Sequence, residues 1–221
     1  VWGTLGIIYN DKYVKPQDVQ HWDDLWAPKF KNQIMLVDSA RDALAMALIT
    51  QNKSVNDKST ADLAAAQAKL TTLMPNIKAI IADEIKMYMA QNEAAIAVTY
   101  SGEASQAMGN NSHLHYVVPS EGSNLWFDNI VMPKTAKHKA AAYAFLNFMS
   151  EPKNAAQNAT YVGYATPNKR AMPFLSEAVR HDKQFYPDKK TLDNLQVYDD
   201  LGQRWTEKYN DAFLEFKMSQ R

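Results

Sequence analysis

The sequence predicts an α/β fold with a largely parallel sheet and helices on both faces. Two observations carry this. Short apolar runs alternate with helix-length segments between residues 33 and 110, the pattern of strands joined by helical crossovers. Helix-start signals also stand where the alternation needs them: Ser39 with Asp42, and Ser59 with Asp62, each a capping-box spacing ahead of a helical stripe.

In order along the chain, Thr4 to Tyr9 reads as a buried strand, with Asn10-Asp11-Lys12 as its turn. Trp22 to Trp26, held between Pro16 and Pro28, reads as a short amphipathic helix. Its two indoles are four residues apart and share a face, as core anchors do. Gln33 to Val37 is a strand ending at Asp38, and Leu44, Ala47 and Leu48 form the stripe of the helix that Ser39 starts. A long Ala/Leu/Lys helix follows Ser59 and stops at Pro75. Ile77 to Ala82 is a strand, Asp83 to Asn92 a helix and Ala94 to Tyr100 a strand. Ser101-Gly102-Glu103 opens a helix that runs to Gly109.

After the strand His113 to Val118 comes Ser123-Asn124-Leu125-Trp126-Phe127-Asp128-Asn129-Ile130. A strand from Trp126 to Met132 places Trp126, Asp128 and Ile130 on one face, with indole and carboxylate about 7 Å apart. An aromatic beside an anion suits an organic cation; a core Trp beside a turn Asp accounts for the same residues. Lys137 to Met149 is a helix with Ala141, Phe145, Phe148 and Met149 on one side. Pro152 sits at the start of the next helix, and Gly163 to Asn168 is a loop. Trp205, Tyr209, Phe213 and Phe216 make a core-packing stripe in the last 50 residues.

Composition excludes several classes. Lys+Arg and Asp+Glu both number 24, so no basic excess points to nucleic acid or an anionic membrane surface. The absence of cysteine removes disulfides, thiolate metal sites and thiol nucleophiles together. No apolar run approaches the roughly 18 residues of a membrane span, and no signal-peptide pattern is present. The opening Val1-Trp2-Gly3-Thr4 reads as mid-strand and predicts a piece of a longer protein. Nucleophile-elbow, Walker, dinucleotide and His-Glu-x-x-His motifs are all missing. His113 and His115 read as a solvated edge, with no third ligand nearby. The chain is expected not to be an enzyme and to need no cofactor or metal.

Ligands of open α/β sheets sit outside the carboxyl ends of the strands. Those ends carry Asp38, Ser39 and Asp42, then Asp83, then Tyr100. This set of carboxylates and aromatics without clustered Lys or Arg suits a cation. Asp38 and Asp42 are equally explained as first-turn acids favoured by the helix dipole, and for Asp83 and Glu84 that account is preferred. Acid–base chemistry by Asp38 and Asp42, as in a hydrolase, is the enzyme alternative.

Several motifs resemble the spermidine/putrescine-binding proteins of bacterial ABC importers. They are Trp2-Gly3-Thr4-x-Gly6-Ile7, Trp22-Asp-Asp-Leu-Trp26-x-Pro28, Asp38-Ser-Ala-Arg41-Asp42, Met46-Ala-Leu48 and Tyr100-Ser-Gly102. Leu125-Trp126-Phe127-Asp128, Phe145-Leu-Asn-Phe148 and Tyr164-Ala-Thr-Pro-Asn168 continue the series in order. The resemblance implies a type II periplasmic-binding-protein fold of two lobes that close on a polyamine by hinge motion. It puts residues 3–125 and 173–221 in the second lobe and 126–172 in a remnant of the first, without that lobe's N-terminal half. The hinge falls near 1–3 and 123–128.

Carried over by position, the family's polyamine contacts fall on Asp42, Trp126 and Asp128, with Tyr100 where a Trp is usual. Ser39 replaces an expected acid beside a retained Asp38, and Tyr198 stands at or near an expected Gln, with Gln196 close by. The implied setting is outside the cytoplasm, in the periplasm or on the outer face of the cell membrane, with any leader or lipid anchor outside this chain. The implied partners are a polyamine and a membrane permease, and the exposed remnant is expected to pack against a second copy. A same-fold protein for another cationic solute or a ferric complex, using Tyr100, Tyr161, Tyr164 and Tyr198, stays open.

Overall fold

The computed structural model describes residues 1–219. Seven strands form one sheet: β1 (Trp2–Asn10), β2 (Ile34–Val37), β3 (Ile77–Ile81), β4 (Ile96–Tyr100), β5 (Leu114–Val117), β6 (Ser123–Phe127) and β7 (Leu195–Gln196). The longer helices are α1 (Ala40–Ile49), α2 (Thr60–Thr72), α3 (Ile85–Ala90), α4 (Ser101–Asn110), α5 (Lys139–Ser150) and α6 (Pro152–Val162). Two short ones, α7 (Glu177–His181) and α8 (Lys189–Asp193), precede α9 (Gln203–Met218). Trp22–Trp26 winds as a 3₁₀ helix. Trp22 is fully buried with its indole N–H donating to the Gly122 carbonyl at 2.9 Å, and Trp26 donates to Thr72 Oγ1 at 3.0 Å.

The sheet order is β3-β2-β4-β1-β6-β7, with β5 also on β1. Parallel pairing holds for β2 with β3, β2 with β4 and β6 with β7. β1 instead runs antiparallel to β4, β5 and β6, so the sheet is mixed and not largely parallel. The alternation that predicts parallel strands is real from β2 to β4, where α1, α2 and α3 make the crossovers. Between β1 and β2 lie only 3₁₀ turns, and nothing in that segment fixes the direction of β1.

β1 is the axis of the molecule. Leu5–Tyr9 pairs with β4 along one edge; the other edge is shared, Trp2–Thr4 with β6 and Ile7–Asn10 with β5. The strand expected over Trp126 to Met132 therefore begins and ends earlier. Its ladder with β1 closes at Trp2–Phe127, and the Asp128 N–H donates to the Val1 carbonyl at 3.0 Å. Ile130 and Val131 lie beyond it and are exposed.

The main core joins the sheet to α1, α2 and α9 on one side and to α3 and α4 on the other. Tyr209, Phe213 and Phe216 of the predicted aromatic stripe are buried in it, with Trp205 packed at its rim. A smaller core gathers Ala155, Ala156, Ala171 and Leu175. α6 begins on Pro152 and ends on Gly163, whose φ of 77° is the left-handed cap that favours glycine. α5 has the predicted apolar side, yet no residue of it is buried, and Phe145 and Phe148 are each 55% exposed.

Candidate functional site

The carboxyl ends of the parallel strands β2, β3 and β4 open together onto one cavity of about 520 Å³. Ser39 and Asp42 enter from the start of α1, Asp83 from the loop after β3, and Tyr100 from the last position of β4. β6 contributes Asn124, Trp126 and Phe127, and Asp128 follows directly. Glu103 in the first turn of α4 and the loop residues Tyr164 and Tyr198 complete the wall, with Arg41 the one cation lining it among the described residues.

Trp126 is the hub of the aromatic part. Tyr100 meets it edge-on at 5.9 Å and Tyr164 at 5.0 Å, interplanar angles being 80° and 76°. Two glycines make this seating possible. A Cβ on Gly3 would stand 2.6 Å from Trp126 Cζ2, and a Cβ on Gly102 would overlap the Tyr164 ring. The indole Nε1 of Trp126 is buried without a hydrogen-bond partner.

Asp42 is only 4% exposed and is the charge set deepest in the wall. Its Oδ2 accepts from the Tyr100 hydroxyl at 2.6 Å and its Oδ1 from the Tyr198 hydroxyl at 2.8 Å. Asn124 Nδ2 adds a longer bond to Oδ1 at 3.4 Å. Half of the predicted capping box forms: Ser39 Oγ accepts from the Asp42 N–H at 3.4 Å, while the Asp42 carboxylate turns to the two phenols. The Ser39 N–H that would complete the box already donates to the Val37 carbonyl at 2.8 Å, and the two phenols leave the buried charge satisfied. Burial, and then the Asp42 charge, hold the Tyr100 and Tyr198 hydroxyls well above the usual phenol range.

The opposite wall is anionic and wetter. Burial raises the Tyr164 hydroxyl, and the charges of Glu103, Asp128 and Asp83 raise it further. Asp128 is exposed, whereas Glu103 is tied to Lys86 at 2.7 Å. Arg41 lies over the Tyr198 ring at 4.3 Å and donates to Asn56 Oδ1 at 2.9 Å, so it is held behind the wall.

Of the residues singled out in the sequence, Ser39, Asp42, Tyr100, Trp126, Asp128 and Tyr198 share this cavity. Asp38 does not line it. Its carboxylate points to α9 and pairs with Lys217 at 2.9 Å, because the next residue, Ser39, takes the cap position facing the cleft. Gln196 is engaged elsewhere, accepting from the Ser54 hydroxyl at 2.9 Å. Asn124, Glu103 and Arg41 are not assigned from the sequence; Tyr164 enters only with the ferric alternative, and Asp83, read as a first-turn acid, lines the cavity as well. Asn124 was within reach, since it lies two residues before Trp126 on the same strand face. His113 and His115 both bond to Asp11, at 2.8 and 2.9 Å, on an exposed edge outside the cavity.

Comparison with known proteins adds a family match, two curated relatives and two solved structures. A family model described as bacterial extracellular solute-binding protein matches residues 1–187. The spermidine/putrescine-binding periplasmic protein of Escherichia coli is 35% identical over 202 residues, 91% of this chain and 58% of that protein. The putrescine-binding periplasmic protein PotF of Escherichia coli is 30% identical over 204 residues, covering 85% of the chain and 55% of that protein. Among solved structures, the spermidine/putrescine ABC transporter substrate-binding protein PotD of Streptococcus pneumoniae superposes with a TM-score of 0.88 at 54% identity. It covers all of this chain and 68% of its own. A Listeria monocytogenes structure gives a TM-score of 0.94 at 52% identity, with 98% and 67% covered. The chain thus spans a little over half the length of the curated relatives it matches.

Proposed function

The chain belongs to the bacterial extracellular solute-binding protein family, and from that premise we propose that it captures polyamines such as putrescine and spermidine for an ABC importer. The observation that carries the reading is the cleft at the carboxyl ends of β2, β3 and β4. Four carboxylates (Asp42, Asp83, Glu103 and Asp128) line it against one guanidinium, around a core of Trp126, Tyr100 and Tyr164.

A polyamine is a methylene chain with ammonium groups at fixed spacing. The aromatic faces of Trp126 and its two tyrosines take the chain, and the ring quadrupoles attract the charge at its ends. An ammonium leaves water only where acceptors replace its hydration. Asp128 and Asp83 supply charge at the open wall, and the Asp42 group supplies it at the buried one. Relatives bearing polyamine names support the ligand class. In this reading residues 3–125 and 173–221 form one lobe and 126–172 belong to the other. Closing the lobes excludes water, strengthens each ion pair and presents a liganded form to a membrane permease.

The tyrosines do not favour a ferric complex. Tyr100 and Tyr198 both donate their hydroxyls to Asp42, and Tyr161 lies outside the cleft, so among the described residues no cluster of free phenol oxygens faces one point. A thermal-shift screen tests the proposal. Putrescine or spermidine at a hundredfold excess over its dissociation constant stabilises a binding protein by about 2.7 kcal/mol. A clear shift with an acidic amino acid or a sugar, and none with any polyamine, refutes it.

A further inference from the structure

Asp42 is the residue on which an ammonium would be expected to land, yet its oxygens are already taken. Tyr100 donates to Oδ2 at 2.6 Å, and Tyr198 to Oδ1 at 2.8 Å with Asn124 behind at 3.4 Å. A carboxylate has about four acceptor positions, and three are spent on neighbours that bury it to 4% exposure.

Each of those neighbours pays out its donor to Asp42 and keeps an acceptor. A phenol has one hydrogen; once that hydrogen is on the carboxylate, only oxygen lone pairs are left to face the cleft. The Asn124 amide is oriented in the same way, because the carboxylate accepts from Nδ2 and would repel Oδ1. The result is a buried oxygen with no partner: Asn124 is 2% exposed and its Oδ1 makes no hydrogen bond. Such an atom is costly in a folded protein unless something arrives to satisfy it. Tyr100, Tyr198 and Asn124 all line the cavity.

Resting on the polyamine reading, we propose that the ligand's ammonium at this end is held by three neutral oxygens, Tyr100 Oη, Tyr198 Oη and Asn124 Oδ1. Asp42 is a positioning residue that does not touch the ligand. An ammonium carries three donor hydrogens and no acceptor, so number and sense match. Arg41 lies 4.3 Å from the Tyr198 ring centre and donates to Asn56. The arrangement also works as a filter. A carboxylate placed here faces these three oxygens as acceptors, so an ω-amino acid of the same length as a diamine is disfavoured at this end.

Titration calorimetry of the full-length protein with putrescine and with 4-aminobutyrate decides it. Tyr100→Phe, Tyr198→Phe and Asn124→Leu are each expected to weaken putrescine binding by about tenfold to a hundredfold, the value of a hydrogen bond to a charged group. 4-Aminobutyrate is expected not to bind the parent. If Asp42 instead met the ammonium directly, each Tyr→Phe change would free a carboxylate oxygen, and affinity would hold or rise; that result overturns the proposal. Should a variant fail to fold, the parent still answers. 4-Aminobutyrate bound by the parent as tightly as putrescine overturns it equally. A parent that binds no polyamine at all refutes the underlying reading, an outcome distinct from unchanged affinity in the tyrosine variants.

Discussion

Gly102 is the position where one added methyl tests the aromatic seat most directly. It lies buried in the first turn of α4, and the Tyr164 ring rests against it so closely that a Cβ there would overlap the ring. Three contributions decide the outcome of Gly102→Ala. Alanine in place of glycine favours a helix by about 1 kcal/mol. Overpacking a tight contact costs about 1–3 kcal/mol. Parting Tyr164 from Trp126, now edge-on at 5.0 Å, forfeits about 0.5–1.5 kcal/mol. The loss outweighs the gain, leaving roughly 0.5–3.5 kcal/mol of destabilisation if the ring is only strained. If the ring swings out into solvent instead, stability is spared and the cleft loses one of its three aromatic walls. Urea unfolding followed by tryptophan fluorescence, with a putrescine titration of the same variant, separates the two. A variant as stable as the parent and equal to it in affinity refutes the argument that Gly102 exists to seat Tyr164.

Two further predictions concern charge. Asp128→Asn is expected to cost about 0–1 kcal/mol of polyamine binding while the cleft stays open to water, and about 2–5 kcal/mol where two lobes close over the pair. Calorimetry on the 221-residue chain and on a protein of its relatives' full length compares the two, and equal losses would argue against closure. In alkali, Tyr100, Tyr116, Tyr164 and Tyr198 are all held above the ordinary phenol value, chiefly by burial. A group whose folded pKa is raised lends stability that is complete below its unfolded value, about 10, and is lost as pH rises past it. These phenols are therefore expected to ionise only together with loss of the circular-dichroism signal; absorbance showing all 11 tyrosines titrating near pH 10 in a folded chain is the contrary result.

The legible parts of the fold are those with local causes. Ser39 and Ser59 cap α1 and α2 through their side chains, Pro152 starts α6 and Gly163 ends it, all as the spacing predicts. The direction of β1 has no local cause, being set by strands more than a hundred residues away in the chain at β5 and β6. The site divides in the same way. Strand-end reasoning reaches Ser39, Asp42 and Tyr100, and strand alternation pairs Trp126 with Asp128; Asp83 reads only as a first-turn acid, and Tyr198 as a contact comes with the family resemblance. What neither reached is what Asp42 does. Its partners lie 58, 82 and 156 residues along the chain, so the turn of its carboxylate from helix cap to phenol pair has no trace in the capping-box spacing.

With a formal net charge of zero, the cation preference proposed for the cleft would be a matter of placement. The acids that line it come from two strand ends and two first helical turns, while Lys86 and Arg41 are tied to neighbours at the side. The two ends then do different work. At Asp83 and Asp128 the charge is near solvent, where attraction is long-ranged but weak for each pair and falls with salt. At Asp42 the charge is buried and bonded by three neighbours, so it contributes little at a distance. Under the proposal above, a ligand drawn by the first end is judged at the second by the three oxygens that Asp42 orients. Placing recognition on neutral oxygens also avoids the desolvation cost of a bare ion pair, because Asp42 is desolvated once, on folding, and not again with each ligand.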